Sequence, residues 1–166
     1  VRDHAIAKIK PNSPSSNVHR ASFGNWKIDA CPHHGPAIAK GSDWGYHMAW
    51  FDGGDKAGLF YARMDGEAWV SSPAKRFGDA NNQAGHPALL SDGENVWLAW
   101  KEMTDTTSLV RVAQSTDGGR SWATPIVVAQ TKAKSDYPQL LLKDGHAFLA
   151  WNTDSEGLLW IRAEHQ

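Results

Sequence analysis

The sequence has little of what marks several large protein classes. It carries one cysteine, Cys31, in 166 residues, which excludes an internal disulfide framework. No apolar run approaches the roughly 20 residues of a membrane-spanning helix. Neither sign of charge dominates. Seventeen Lys and Arg stand against 18 Asp and Glu, a net charge of −1, so bulk charge draws the chain neither to nucleic acid nor to an anionic membrane. The opening Val1-Arg-Asp-His4 is charged and no apolar stretch follows it, unlike a secretory signal. The expectation is a removed signal or a fragment of a longer chain. The abundant residues are Trp (9), Gly (15) and Pro (8), a set that suits short strands and tight turns.

The chain repeats itself. His34-Gly-Pro36-Ala-Ile-Ala39, Gly85-His-Pro87-Ala-Leu-Leu90 and Asp136-Tyr-Pro138-Gln-Leu-Leu141 place their prolines 51 residues apart. Each is followed by an aromatic run ending in Ala-Trp, at Trp50, Trp100 and Trp151, and then by a further apolar run, at residues 58–63, 108–113 and 157–162. A weak copy of that last run opens the chain at residues 3–8. Turns of Asp-Gly type, as in Ser91-Asp-Gly93 and Lys143-Asp-Gly145, separate the first two runs of a repeat and are hairpin signals. More polar fourth runs follow at 18–22, 74–77 and 125–129. Four short strands per repeat of about fifty residues are the arithmetic of a propeller blade.

With the strands lettered A to D outward from the axis, the sequence predicts an all-β, partial β-propeller spanning 1–166. It divides into a half-blade of strands C and D (1–30), whole blades at 31–82 and 83–134, and strands A to C of another blade (135–166). Blades do not bury their faces alone. About three blades of a six-bladed ring are therefore expected, with the rest supplied by another chain or a missing segment. Self-pairing is the less favoured completion, because the strand C copies near the two ends would compete for one place.

One motif is specific. Ser115-Thr-Asp117-Gly-Gly119-Arg-Ser-Trp122 resembles the Asp-box (BNR) repeat of sialidases and other secreted propellers, with every fixed position present. A shortened version, Met64-Asp-Gly66-Glu-Ala-Trp69, stands in the preceding blade. The junction Trp26-Lys-Ile-Asp-Ala-Cys-Pro-His-His-Gly-Pro36 is similar to that of bacterial, exported, sialidase-like six-bladed propellers. The resemblance covers nearly the whole chain. It implies an extracytoplasmic protein, periplasmic or secreted, whose Asp box (Ser115, Asp117, Gly119, Trp122) is a structural turn on the face opposite the ligand site. The carboxylate is expected to accept from its own turn, the glycines to allow positive φ, and Trp122 to fold under the next strand.

Candidate chemistry lies where strand A begins and where the B–C loops meet. Those positions supply His33, His34, His86 and Tyr137 from the first set, and Asp52, Glu102 and Asp154 from the second. The resemblance implies that a sialidase needs three arginines on inner strands, whose forks fit a carboxylate, together with a Tyr–Glu pair and an Asp acid. Strand A carries no Arg in any of its three copies, and Tyr137 has no assignable Glu partner. Cys31, His33 and His34 could instead hold zinc or copper. On an extended chain Cys31 and His33 share a side, about 6.6 Å apart. The remaining histidines read as ordinary polar or partly buried residues. Trp50, Trp100 and Trp151 read as packing between sheets, and Trp26 and Trp44 as exposed contacts.

Two function classes follow. The first is a non-catalytic, sialidase-like binding or assembly module, a subunit of a larger complex with a glycan or protein ligand. The second is an exo-α-sialidase-type glycoside hydrolase whose other catalytic residues lie in missing blades. No nucleic-acid partner and no membrane span are expected.

Overall fold

The computed structural model describes residues 2–12, 17–29, 33–42, 44–55, 57–79 and 81–164. They form thirteen strands, and no helix occurs among the described residues. Two short strands, β1 (Ala5–Ala7) and β2 (Val18–Arg20), make the first sheet. The second contains β3 (Ala37–Lys40), β4 (Gly45–Asp52), β5 (Gly58–Asp65) and β6 (Lys75–Phe77) in that order. The third contains β7 (Gly85–Asp92), β8 (Asn95–Met103), β9 (Ser108–Ser115) and β10 (Ile126–Thr131). The last contains β11 (Gln139–Lys143), β12 (His146–Thr153) and β13 (Gly157–Arg162). Every pairing is antiparallel and between chain neighbours. This is the meander of propeller blades, and the fold is the expected all-β partial propeller.

Local chemistry sets the turns. Lys143 pairs with His146 across Asp144 and Gly145, whose φ values of 52° and 75° match the two-residue hairpin that favours Asp-Gly. The second strand of the third sheet, β8, is buried on both faces. On β8, Leu98 and Trp100 pack toward the second sheet with Ala49, Leu59, Tyr61 and Phe77. Trp97 and Ala99, on the other face, pack toward the last sheet with Ala147, Leu149 and Trp151. The alternation of a strand thus serves two interfaces at once. A third cluster joins Met48, Trp50 and Met64 to Ala21 and Ile6 of the first sheet. Trp50, Trp100 and Trp151 lie between sheets as expected.

Two tryptophans differ from expectation. Trp26 is only 6% exposed. It lies over Gly53, where an added Cβ would come within 2.8 Å of the indole, and it meets Phe51 edge-on at 6.0 Å. Trp44 is half-buried with the Arg63 guanidinium 4.0 Å above its ring. At the other end of the arc, Leu141, Leu158 and Trp160 of the last sheet are exposed.

Candidate functional site

The three proline-centred segments converge. His34 precedes Pro36 and β3, His86 lies near the start of β7, and Tyr137 precedes Pro138 and β11. Their rings meet in series across three sheets. His34 and His86 are 4.4 Å apart between centroids and tilted by 33°, and His86 and Tyr137 are stacked 3.6 Å apart in planes 11° from parallel. Phe51, at the far end of β4, extends the stack through a 4.3 Å contact with His34. The result is a four-ring ladder, Phe51–His34–His86–Tyr137.

The backbone is shaped to permit it. The register of β7 on β8 shifts between Gly85 and Ala88, a bulge that re-aims a side chain. His86 sits there at φ 53°, a left-handed conformation that non-glycine residues seldom adopt. Gly85 is packed against His34, where a Cβ would lie 2.5 Å from Nδ1. That nitrogen is buried and without a hydrogen-bond partner among the described residues.

Electrostatics keep the ladder neutral. Burial, then the neighbouring His33, holds His34 below the ordinary imidazole range. Burial, then His34 and Lys101, takes His86 down to about 4. Both rings are therefore uncharged near neutral pH. Inner faces are used up by stacking, so the ladder presents its edges and its free end. That end is Tyr137, 50% exposed. Beside it, Lys101 donates to the Ser135 carbonyl at 3.1 Å and lies 6.0 Å from the Tyr137 centroid. Burial lowers the Lys101 pKa, against the opposing pull of Asp136.

The other expected site residues separate. His33 is exposed beside the ladder, and Cys31 lies outside the described residues. No group of three His, Cys, Asp or Glu is placed to hold a metal ion among the described residues. Asp154 is exposed on the loop after β12. Glu102 does not face a ligand at all. It is fully buried and takes hydrogen bonds from the Asp79 N–H (3.1 Å), Asn82 Nδ2 (3.1 Å), Trp100 Nε1 (2.8 Å) and Arg111 Nε (2.9 Å). Burial pushes its pKa up, but the donors outweigh it and the carboxylate stays below its usual range. Sequence position placed Glu102 at a loop, but the donors that converge on it come from three separate segments. Asp52 faces away from the ladder, since it stands one residue beyond Phe51 on β4 and neighbours on a strand alternate.

The Asp-box segment closes on itself. Ser115 Oγ donates to Asp117 Oδ1 at 2.8 Å and accepts the Gly119 N–H at 2.9 Å. Asp117 accepts the N–H groups of Arg120 and Ser121 and the Ser121 hydroxyl. Those bonds, the Ser121 hydroxyl first, hold its carboxyl well below the usual range. Gly118 and Gly119 have φ values of 67° and 79°. Trp122 packs not under the next strand but back on the preceding sheet, against Tyr61 (4.8 Å) and Phe77 (5.1 Å). The shortened copy keeps the same chemistry, with Asp65 Oδ1 accepting from the N–H groups of Glu67 and Ala68.

Sequence reasoning missed the roles of Phe51 and Lys101. Both directly follow the Ala-Trp repeat at corresponding blade positions, which is the signal that could have found them. It also read His47 as an ordinary polar or partly buried residue. His47 is fully buried, with Nδ1 2.7 Å from the Tyr61 hydroxyl.

No protein-family model matches this chain, and no curated protein matches it. Among solved structures, it is similar to an α-L-arabinanase from Cellvibrio cellulosa, determined in complex with arabinohexaose. The TM-score is 0.49 and the sequence identity 14%, and the match covers 95% of this chain and 62% of that one.

Proposed function

We propose that this chain is a non-catalytic, sialidase-like propeller segment that binds a carbohydrate at the free end of the ring ladder, outside the cytoplasm. The observation that carries the reading is the four-ring ladder across three sheets, which holds Tyr137 flat on His86 as a half-exposed platform. An aromatic face with a few polar groups at its rim is what a sugar needs: apolar C–H surface below and hydrogen bonds at the edge. Lys101 and Asp136 supply that rim. The Asp-box resemblance and the Trp26–Pro36 junction sequence support the sialidase-like and exported parts of the reading.

At the ladder, the non-catalytic reading is supported by Glu102. A general acid or base needs a free oxygen within reach of substrate, and Glu102 has both of its oxygens taken by protein donors. The same reading has the exposed Leu141, Leu158 and Trp160 face covered by further blades, from another chain or from additional polypeptide, because bare apolar patches of that kind mark interaction sites.

Calorimetric titration with sialyllactose and with neutral oligosaccharides tests the site. Binding that Tyr137→Ala abolishes, with no release of sugar from aryl glycosides, is the expected outcome. Sugar release by the pure protein, or binding indifferent to Tyr137→Ala, overturns the reading.

A further inference from the structure

On the opposite face of β4 from the ladder, between residues 21–24 and the outer half of the second sheet, lies a cleft of about 720 Å³. That volume falls within the range of small-molecule sites. Three aromatics, Phe23, Trp50 and Phe60, wall it. Two carboxylates, Asp52 and Asp55, line it as well, and no Lys, Arg or His lines it among the described residues.

Asp52 is only 9% exposed. Its Oδ1 accepts the Gly54 N–H at 3.0 Å, while Oδ2 has no hydrogen-bond partner among the described residues. Gly24 backbone closes one side of that oxygen, since a Cβ there would stand 1.6 Å from Oδ2. Oδ2 is the acceptor that Asp52 offers to the cleft it lines.

We propose that this cleft binds an ammonium group carried on an apolar stem. Ionised carboxylates only accept, so the complement is a ligand that only donates. Two of the three serine hydroxyls that line the cleft are occupied. Ser22 Oγ accepts the His4 N–H and donates to Asp3, and Ser72 Oγ accepts the Arg63 N–H and donates to the Pro73 carbonyl. Aromatic walls favour a cation over a neutral donor, because the ring face attracts positive charge. A metal ion fits less well, since the lining offers two carboxylates and no third His, Cys, Asp or Glu among the described residues. The ammonium has two possible sources, a small amine or a lysine side chain of another protein.

The test follows the Trp50 fluorescence and the heat of binding of the whole chain with n-butylammonium, with Nα-acetyl-lysine N-methylamide, and with 1-butanol as the neutral control. Butylammonium is expected to bind, and Asp52→Asn to weaken it by about tenfold, the scale of a charge-assisted hydrogen bond. Asp55→Asn, on an exposed loop, is expected to weaken it less and keeps the test valid if Asp52→Asn folds poorly. Equal affinity for the two amines assigns a small ligand, and tighter binding of the lysine amide assigns a protein lysine. Butanol binding as well as butylammonium, no binding by either amine, or indifference to both substitutions overturns the proposal. Tyr137→Ala leaves this binding unchanged, so its failure and that of the carbohydrate reading are separable.

Discussion

The imidazole of His86 lies flat on the phenol of Tyr137, 3.6 Å between centroids and 11° from parallel. The two residues belong to different sheets, so this contact ties one blade's inner edge to the next. Burial keeps both ladder histidines neutral near pH 7.

The first prediction concerns that coupling. His86→Ala and Tyr137→Ala should not be additive in a double-mutant cycle, with an interaction of about 0.5–1.5 kcal/mol for a stacked pair. Unfolding free energies of the four proteins measure it. Simple additivity would show that the rings touch without stabilising each other. Gly85→Ala should act at the next rung, since its Cβ would displace His34 and disturb ligand binding without touching Tyr137.

Glu102 and Arg111 form a partly buried ion pair at 2.9 Å. Glu102→Ala removes the acceptor and strands three further donors, from Asp79, Asn82 and Trp100. Breaking one side of such a pair costs about 3–5 kcal/mol, and denaturant titration should return a loss of that size. The double variant Glu102→Met with Arg111→Met should recover part of it. A loss below about 1 kcal/mol for Glu102→Ala, the level of a surface pair, would show the network to be dispensable.

The strands were legible because their period is simple. Apolar runs at spacings of 50 and 51 residues gave the three Ala-Trp strands that now form the cores, β4, β8 and β12. The ladder was legible only in part. His34, His86 and Tyr137 stand at equivalent positions, but nothing in the sequence states that their rings meet. That follows from a bulge at β7 and from Gly85 lacking a Cβ. Glu102 was misplaced for a similar reason. A carboxylate on a loop reads as solvent-facing until its donors, which come from Asp79, Asn82 and Arg111, are brought together by packing. The cleft beside Asp52 was invisible, because one of its walls lies about thirty residues earlier in the chain.

Asp117 is predicted to be a stability residue. Its carboxylate serves four donor groups inside one turn, on Ser115, Arg120 and Ser121, and Trp122 carries that turn onto Tyr61 and Phe77. Asp117→Ala should cost about 1–2 kcal/mol, since the orphaned donors can still reach water. Ligand affinity at Tyr137 should not change. Lost affinity with unchanged melting temperature would reverse the assignment.

The last prediction is a pH dependence with a defined window. His47 is fully buried against Tyr61, and its Nε2 has no hydrogen-bond partner among the described residues. Burial, then the Arg63 charge, takes its pKa from 6.5 down to about 4. The sign follows from which state binds the proton. Between these values the unfolded chain is protonated at His47 and the folded chain is not, so acid favours unfolding. Stability should be insensitive to this group above pH 6.5 and fall as pH drops toward 4, by about 3 kcal/mol in all at 1.36 kcal/mol per unit. His86, whose pKa is lowered in the same direction, adds to the slope in the same window. Carboxylates contribute separately and lower. Asp117 and Glu102 are both lowered in the folded state, so the stability they supply is present above their unfolded values and is lost only as pH falls below them. Chemical denaturation at pH 7.5, 6.0 and 5.0 isolates the histidine window. His47→Gln should flatten the slope there, and His47→Gln with His86→Gln should flatten it further. An unchanged slope in the double variant would place the buried proton-binding groups elsewhere in the chain.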